Sequence, residues 1–372
     1  MLRLNTRLVA LTLISVIALT AAPLAQRSTK GRASVTGEII VKFRPGLAAS
    51  EKDSAHRAAR GTSLAEIQRT GLQRIRVPAG EESATIARYR RNPNVLYAEP
   101  NFVRTIPAPL AQGGASEVVP GDLYFSEQWA LNNTGQQFLC LIPGLCFYAG
   151  TAGADIDAPE AWEISTGSSD VTVAVIDSGI DYTHPDLAAN YAGGVDFVSP
   201  DGDPMDDHGH GTHVAGIIAA ALDNLTGNPG TAEGVVGVAP HARIRAYKVC
   251  RADGTCDDFA IQQAIARAIT DGAKVINMSL GETAYSQSLD QAVQDAWNAG
   301  LVIVAGAGND GTTERFYPAA LDHVISVAAF DEDHRRPPFS NYGSWVDISA
   351  PGNVILSTYP STTCAASTVP GD

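Results

Sequence analysis

Val171-Thr172-Val173-Ala174-Val175-Ile176-Asp177-Ser178-Gly179-Ile180-Asp181 reads as an apolar strand that closes on a carboxylate and a glycine turn. Thirty-three positions after Asp177 comes His210, within Asp206-Asp207-His208-Gly209-His210-Gly211-Thr212-His213-Val214-Ala215-Gly216. Three histidines fall within six positions there, at the mouth of an Ala-rich apolar run over 217–222. A polar loop feeding straight into a buried helix holds its first side chains rigidly. The partial positive charge of the helix N-terminus disfavours imidazolium at that place. A histidine so placed is expected to be a mostly neutral base near pH 7. Taken alone, the loop leaves three readings open: a catalytic base, a metal site, or histidines satisfied by loop hydrogen bonds.

Outward from this centre, strands are predicted over 172–177, 243–249, 274–278, 301–305, 324–328 and 346–349. Between them, 258–271 repeats Ile261, Ile265 and Ile269 at four-residue intervals, and 286–300 repeats Leu289, Val293 and Trp297 before a stop at Gly300. Both are amphipathic helix patterns. Strands alternating with helices imply βαβ units and a parallel sheet covered on both faces. In such sheets ligands sit beyond the carboxyl ends of the strands. Asp177 lies at such an end, and so does the turn Gly306–Asn309.

Asp-Ser-Gly-Ile-Asp after an apolar strand, followed by His-Gly-Thr-His-Val-Ala-Gly, resembles the subtilisin-like serine protease family, which shares this chain order of Asp before His. The resemblance runs from about Gly37 to Pro360. It implies an α/β fold with helices on both faces of a parallel sheet, preceded by a small α+β, ferredoxin-like propeptide domain. It also implies roles. His210 would be the general base and Asp177 the carboxylate that orients it, with His208 and His213 as neighbours. Asn309, in Ala305-Gly306-Ala307-Gly308-Asn309-Asp310-Gly311, matches the family's oxyanion-hole asparagine, worth about 3–4 kcal/mol in such sites. Ser279-Leu280-Gly281 resembles the substrate-binding edge, where exposed backbone pairs with an extended peptide. Glu282 and Tyr285 replace a glycine-rich continuation there, so the pocket preference is open, large apolar side chains being the family's guess.

Calcium enters only through the resemblance. Asp186, in His184-Pro185-Asp186-Leu187, matches a ligand position of the family's structural calcium site, and the loop over 223–234 could add Asn224. A solvated acidic loop is the equal alternative. The chemistry itself requires no cofactor. Two rivals can be weighed. His208, His210 and His213 have a spacing that could converge on zinc, but zinc would leave Asp177 without a role. Gly306 to Gly311 with Asp331 spells a dinucleotide fingerprint, but its glycines lead to Pro318 rather than opening a helix.

The 372 residues, 45% hydrophobic and 18% charged, have room for one large or two modest domains. Residues 1–120 carry 17 Lys and Arg against 8 Asp and Glu, whereas 121–372 carry 9 against 32. A basic front attached to an acidic back suggests two units that attract each other, and argues against nucleic acid as the partner of the acidic part. Arg3 and Arg7 precede an apolar stretch over 8–18 and a small-residue exit, so 1–26 is read as a secretory signal peptide. That stretch is short for a spanning helix, and no membrane span is expected in the mature form. Export is thus expected from residues 1–26, the resemblance implies protein and peptide substrates, and a monomer is expected.

Residues 36–105 read as the propeptide unit, with strands over 38–43, 72–77 and 95–98 and helices over 48–59 and 82–91. By the resemblance, this unit assists folding and inhibits the enzyme, its C-terminal end lying in the active-site cleft. Residues 106–120, rich in Pro, Ala and Gly, read as a linker with the processing site, and 121–372 as the peptidase domain. Cys140 and Cys146, and Cys250 and Cys256, straddle turn residues and suit small disulfide loops in an oxidising compartment; zinc is the competing reading. Cys364 is left over.

The end of the chain departs from the family. Its nucleophile lies in Gly-Thr-Ser-Met-Ala, shortly after a segment like Ala350-Pro351-Gly352-Asn353-Val354. No Gly-Thr-Ser follows His210; Gly61-Thr62-Ser63-Leu64-Ala65 lies in the propeptide-like part, in a helix-like context. The expectation is a serine endopeptidase by descent, C-terminally incomplete and nearly inert as given, with apolar sheet surface uncovered. A noncatalytic peptide-binding relative is the alternative, and a zinc hydrolase the third.

Overall fold

The computed structural model describes residues 33–105, 124–142, 145–199, 201–222 and 234–360, with the side chains of 139–147 outside that description. The expected signal peptide, linker, Asn224 and Cys364 all fall outside it.

Among the described residues, seven parallel strands form the main sheet. Their order is Ile348–Pro351, Ile325–Phe330, Val302–Gly306, Val275–Met278, Thr172–Asp177, Arg243–Lys248 and Tyr191–Asp196. Thr172–Asp177 lies inside this sheet, pairing with strands on both sides, so its backbone is satisfied and both faces must be covered by side chains. Ala174 and Ile176 point to one face, packing with Ile261 and Ile265 of helix Asp258–Thr270 and with Leu289 and Val293 of helix Gln287–Asn298. Val175 points to the other, where Val214, Ala215 and Ala219 of helix His210–Ala219 meet it. The predicted period holds except at Trp297, which is 48% exposed and stacks on His323 instead of entering the core.

The front unit runs strand Ser34–Phe43, helix Ala49–Ala59, strand Thr62–Ile67, strand Leu72–Arg76, helix Glu82–Arg90 and strand Val95–Thr105. The antiparallel order, fourth strand beside first, then third, then second, is the ferredoxin-like arrangement. Its core joins Ile39, Val41 and Ile75 of the sheet to Ala55, Ile86 and Tyr89 of the helices. Thr62-Ser63-Leu64-Ala65 therefore sits in a strand, not a helix. Pairing with Leu72–Arg76 outweighs the helix-forming Leu-Ala-Glu composition. Strand Tyr191–Asp196 and the hairpin of Gln137–Ile142 with Leu145–Ala149 were not predicted; in the hairpin Cys140 lies opposite Cys146.

The last strand of the front unit does not stop at its own sheet. Val103, Arg104 and Thr105 pair antiparallel with Asp257, Cys256 and Thr255, on the far side of a hairpin closed by the Cys250–Cys256 disulfide. The front sheet thus continues into the C-terminal part that carries the seven-stranded sheet.

Candidate active site

Asp177 ends its strand fully buried, and His210 opens the helix that follows. Two glycines let them meet. Gly179 turns the chain at φ +111°, and a Cβ on Gly211 would lie 2.1 Å from the Gly179 carbonyl oxygen. His210 Nδ1 is 2.8 Å from Asp177 Oδ1, which also accepts from the Ser178 amide at 2.7 Å. An ionised carboxylate only accepts, so Nδ1 carries the proton and Nε2 presents its lone pair. The imidazole is 19% exposed, an open edge on a buried pair.

The loop before the helix is held by Asp206, which sequence reading passed over. Its buried carboxylate accepts from Ser178 Oγ, the amides of His208, Gly209 and Thr212, and Thr212 Oγ1, at 2.6–3.0 Å. Ser178 Oγ in turn accepts from the Gly211 amide at 2.9 Å, tying strand end to helix start. Buried Lys248 donates to the Ser178 carbonyl at 2.7 Å and pairs with Asp207.

The helix terminus does not decide the charge of His210. Burial depresses its pKa, but the carboxylates of Asp177 and Asp206 outweigh that cost, and the net direction is upward from 6.5. The expectation of a pKa held down at the helix terminus is thereby corrected in direction, the two carboxylates being the cause. A raised folded-state pKa means that the stabilising imidazolium–Asp177 interaction is fully present below pH 6.5 and is lost as pH rises through the folded value. In an NMR titration the His210 ring should therefore titrate above 6.5, and Asp177→Asn should bring it below. His213 is the opposite case, with burial lowering its pKa. Its Nε2 donates to the Ile355 carbonyl at 3.1 Å.

The three histidines do not converge. His210 turns to Asp177, His213 to the 350–360 segment, and the His208 and His210 ring centroids are 6.3 Å apart. Among the described residues no group of three His, Cys, Asp or Glu side chains is placed to hold a metal ion. Asp186 is buried at the foot of the 223–234 loop, where Oδ2 accepts from the Val235 amide at 3.1 Å. Asn224, the other expected calcium ligand, lies outside the described residues.

Asn309 is exposed in the turn after strand Val302–Gly306. The turn is braced by buried Asn341, whose Nδ2 donates to the Ala307 carbonyl at 2.9 Å while Oδ1 accepts from the Asp310 and Thr312 amides at 3.0 and 3.1 Å. Sequence reading missed Asn341, since its 31-residue separation from Asp310 leaves no local pattern. The segment before the expected nucleophile lies along the histidine helix: Ser357 Oγ donates to the His213 carbonyl and Thr358 Oγ1 to that of Thr212.

Ser279-Leu280-Gly281 follows strand Val275–Met278, and its outer edge is occupied. Gly281 exchanges both backbone hydrogen bonds with Thr105, at 3.2 and 3.3 Å. The tail 103–105 therefore lies as a strand between the Thr255–Asp257 edge and Gly281. Glu99 and Asn101 carry the docking upstream. The Glu99 carboxylate accepts from the Gln287 and Ser288 amides at the start of one helix, and Asn101 Oδ1 accepts from the Phe259 amide at the start of another.

The profile of the subtilase family matches residues 168–371. This chain belongs to the subtilase family. A second profile, the fervidolysin N-terminal prodomain, matches residues 20–101 of the same subtilase. The thermophilic serine proteinase of Bacillus sp. (strain AK1) is 38% identical over 326 residues, covering 88% of this chain and 72% of that one. Thermitase of Thermoactinomyces vulgaris is 46% identical over 211 residues, 57% of this subtilase and 73% of thermitase. In structure it is similar to fervidolysin from Fervidobacterium pennivorans, described as a keratinolytic enzyme related to subtilisin. That match has a TM-score of 0.67 at 26% identity and covers 92% of this chain and 50% of fervidolysin.

Proposed function

We propose that this subtilase is the exported precursor of a serine endopeptidase, in which Asp177 and His210 activate a serine hydroxyl against a peptide carbonyl. The reading is carried by the 2.8 Å contact of His210 Nδ1 with buried Asp177, which leaves Nε2 free to take a proton. In this scheme His210 removes the hydroxyl proton and returns it to the leaving amine. Asp177 stabilises the imidazolium between the two steps, and the amide of Asn309 donates to the oxyanion. The substrate adds a strand at Gly281, and the front unit inhibits by holding that place first. Export is supported by the charged and apolar order of residues 3–25 and by the Cys250–Cys256 disulfide. No helix among the described residues is long and apolar enough to cross a membrane.

The strand seat at Gly281, which already holds Thr105, favours one second reading: a peptide-binding relative without turnover. A chimera separates the two. Residues 1–360 are joined to a subtilase C-terminal segment that carries the family's Gly-Thr-Ser-Met-Ala. The chimera is expected to react with a fluorophosphonate at that serine and to hydrolyse casein. A folded chimera that binds peptides but does neither sinks the peptidase reading and leaves the binding one.

A further inference from the structure

Arg104 is among the largest fully buried side chains of the molecule, and its counter-charge belongs to the peptidase part. Nε donates to Asp258 Oδ1 at 2.6 Å and a terminal nitrogen to Oδ2 at 3.2 Å, a fork-on-fork pair with both side chains at 0% exposure. The remaining nitrogen reaches the carbonyl of Ala284 at 2.7 Å, with those of Glu282 and Tyr317 at 3.4 and 3.5 Å. A carboxylate and three carbonyls surround it. All four stand on the peptidase part and none on the tail that delivers the arginine. They form a cradle shaped for a guanidinium.

The position of the cradle along the edge gives it meaning. Thr105 pairs with Gly281, so Arg104 is the residue immediately N-terminal to the one that locks onto this edge. We propose that Asp258 is a specificity residue of the peptide cleft, and that the cleft prefers substrates with arginine at the position Arg104 now fills. This deepens the endopeptidase reading and rests on it in one respect, that substrates occupy the edge as the tail does. With the tail gone, the Asp258 carboxylate at the first position of its helix would face an incoming chain. An arginine there regains every bond above, a lysine meets the carboxylate as a point charge, and an apolar side chain leaves Asp258 and three carbonyls to be desolvated for nothing.

The test uses the whole chain with Arg104→Ala and Thr105→Pro, which empty the cradle and remove the tail's amide bond to Gly281. Arg104→Ala alone serves if the pair fails to fold by circular dichroism. Fluorescein-labelled peptides with the sequence of residues 101–105, bearing Arg, Lys or Ala at the fourth place, are titrated by anisotropy. The Arg peptide is expected to bind about 30-fold tighter than the Ala peptide, with Lys between. Adding Asp258→Asn should shrink that ratio to about threefold or less, since the carboxylate charge is what the arginine reads. Equal binding of Arg and Ala peptides, or a preference that survives Asp258→Asn, overturns the inference while leaving the edge as a peptide site. Failure of all three peptides to bind overturns both, because the edge then takes no peptide at all.

Discussion

In a chimera supplied with a serine segment, His210→Ala is expected to lower kcat by about six orders of magnitude and Asp177→Asn by about four. The first removes the group placed to accept the hydroxyl proton. The second is subtler, because Asn is nearly isosteric with Asp. Asp177 Oδ1 takes both His210 Nδ1 and the Ser178 amide, while Oδ2 is buried without a hydrogen-bond partner among the described residues. An asparagine that keeps its oxygen at the Oδ1 place buries an unpaired NH2 at the other and loses the charge that stabilises imidazolium. Turned over, it sets a donor against Nδ1, pushes the proton to Nε2 and closes the base. Either orientation damages the transition state and spares ground-state binding, so KM should hardly move while kcat falls. Initial rates on a chromogenic peptide, from pH 6 to 10, read both. A loss smaller than about tenfold for Asp177→Asn would mean that the carboxylate is scaffolding rather than a partner of the base.

Much of this centre is local in sequence. Strand Thr172–Asp177 declares itself by its apolar run, and His210 by its place between a polar loop and an apolar helix, so their pairing could be anticipated. The amphipathic helices and most sheet strands follow for the same reason, since burial imposes a period on a single segment. What was not legible depends on partners distant in the chain. Asn341 reads as an ordinary loop residue until it is seen beneath the turn of Asn309, and Arg104 as a surface charge until Asp258, 154 positions on, is found against it. The histidine's charge was misread for a related reason. The helix terminus is visible in sequence, whereas the nearness of Asp177 and Asp206 is a fact of the folded loop. Strand Thr62–Ile67 is held by its neighbour strand more than by its own residues.

The buried ion pair makes the second large prediction, about the docked tail itself. Asp258→Ala should leave the Arg104 guanidinium inside the protein with carbonyls but no counter-charge, a loss of about 3–5 kcal/mol. The tail can escape that cost by peeling away from the edge, so the loss should appear as local opening. Amide exchange at Thr105, whose N–H donates to the Gly281 carbonyl, should quicken more than about 100-fold, while amides in the central strand Thr172–Asp177 stay protected. Arg104→Met combined with Asp258→Leu separates charge from packing. An apolar pair of similar bulk needs no desolvation of ions, so the double variant should restore much of the protection that either single change removes. Thr105 would then still be held by Gly281, but nothing at the neighbouring place would read an arginine. If Asp258→Ala leaves the Thr105 amide as slow as before, the tail is held by Glu99, Asn101 and backbone pairing alone. The ion pair would then contribute to selecting the occupant of the edge and not to keeping it there.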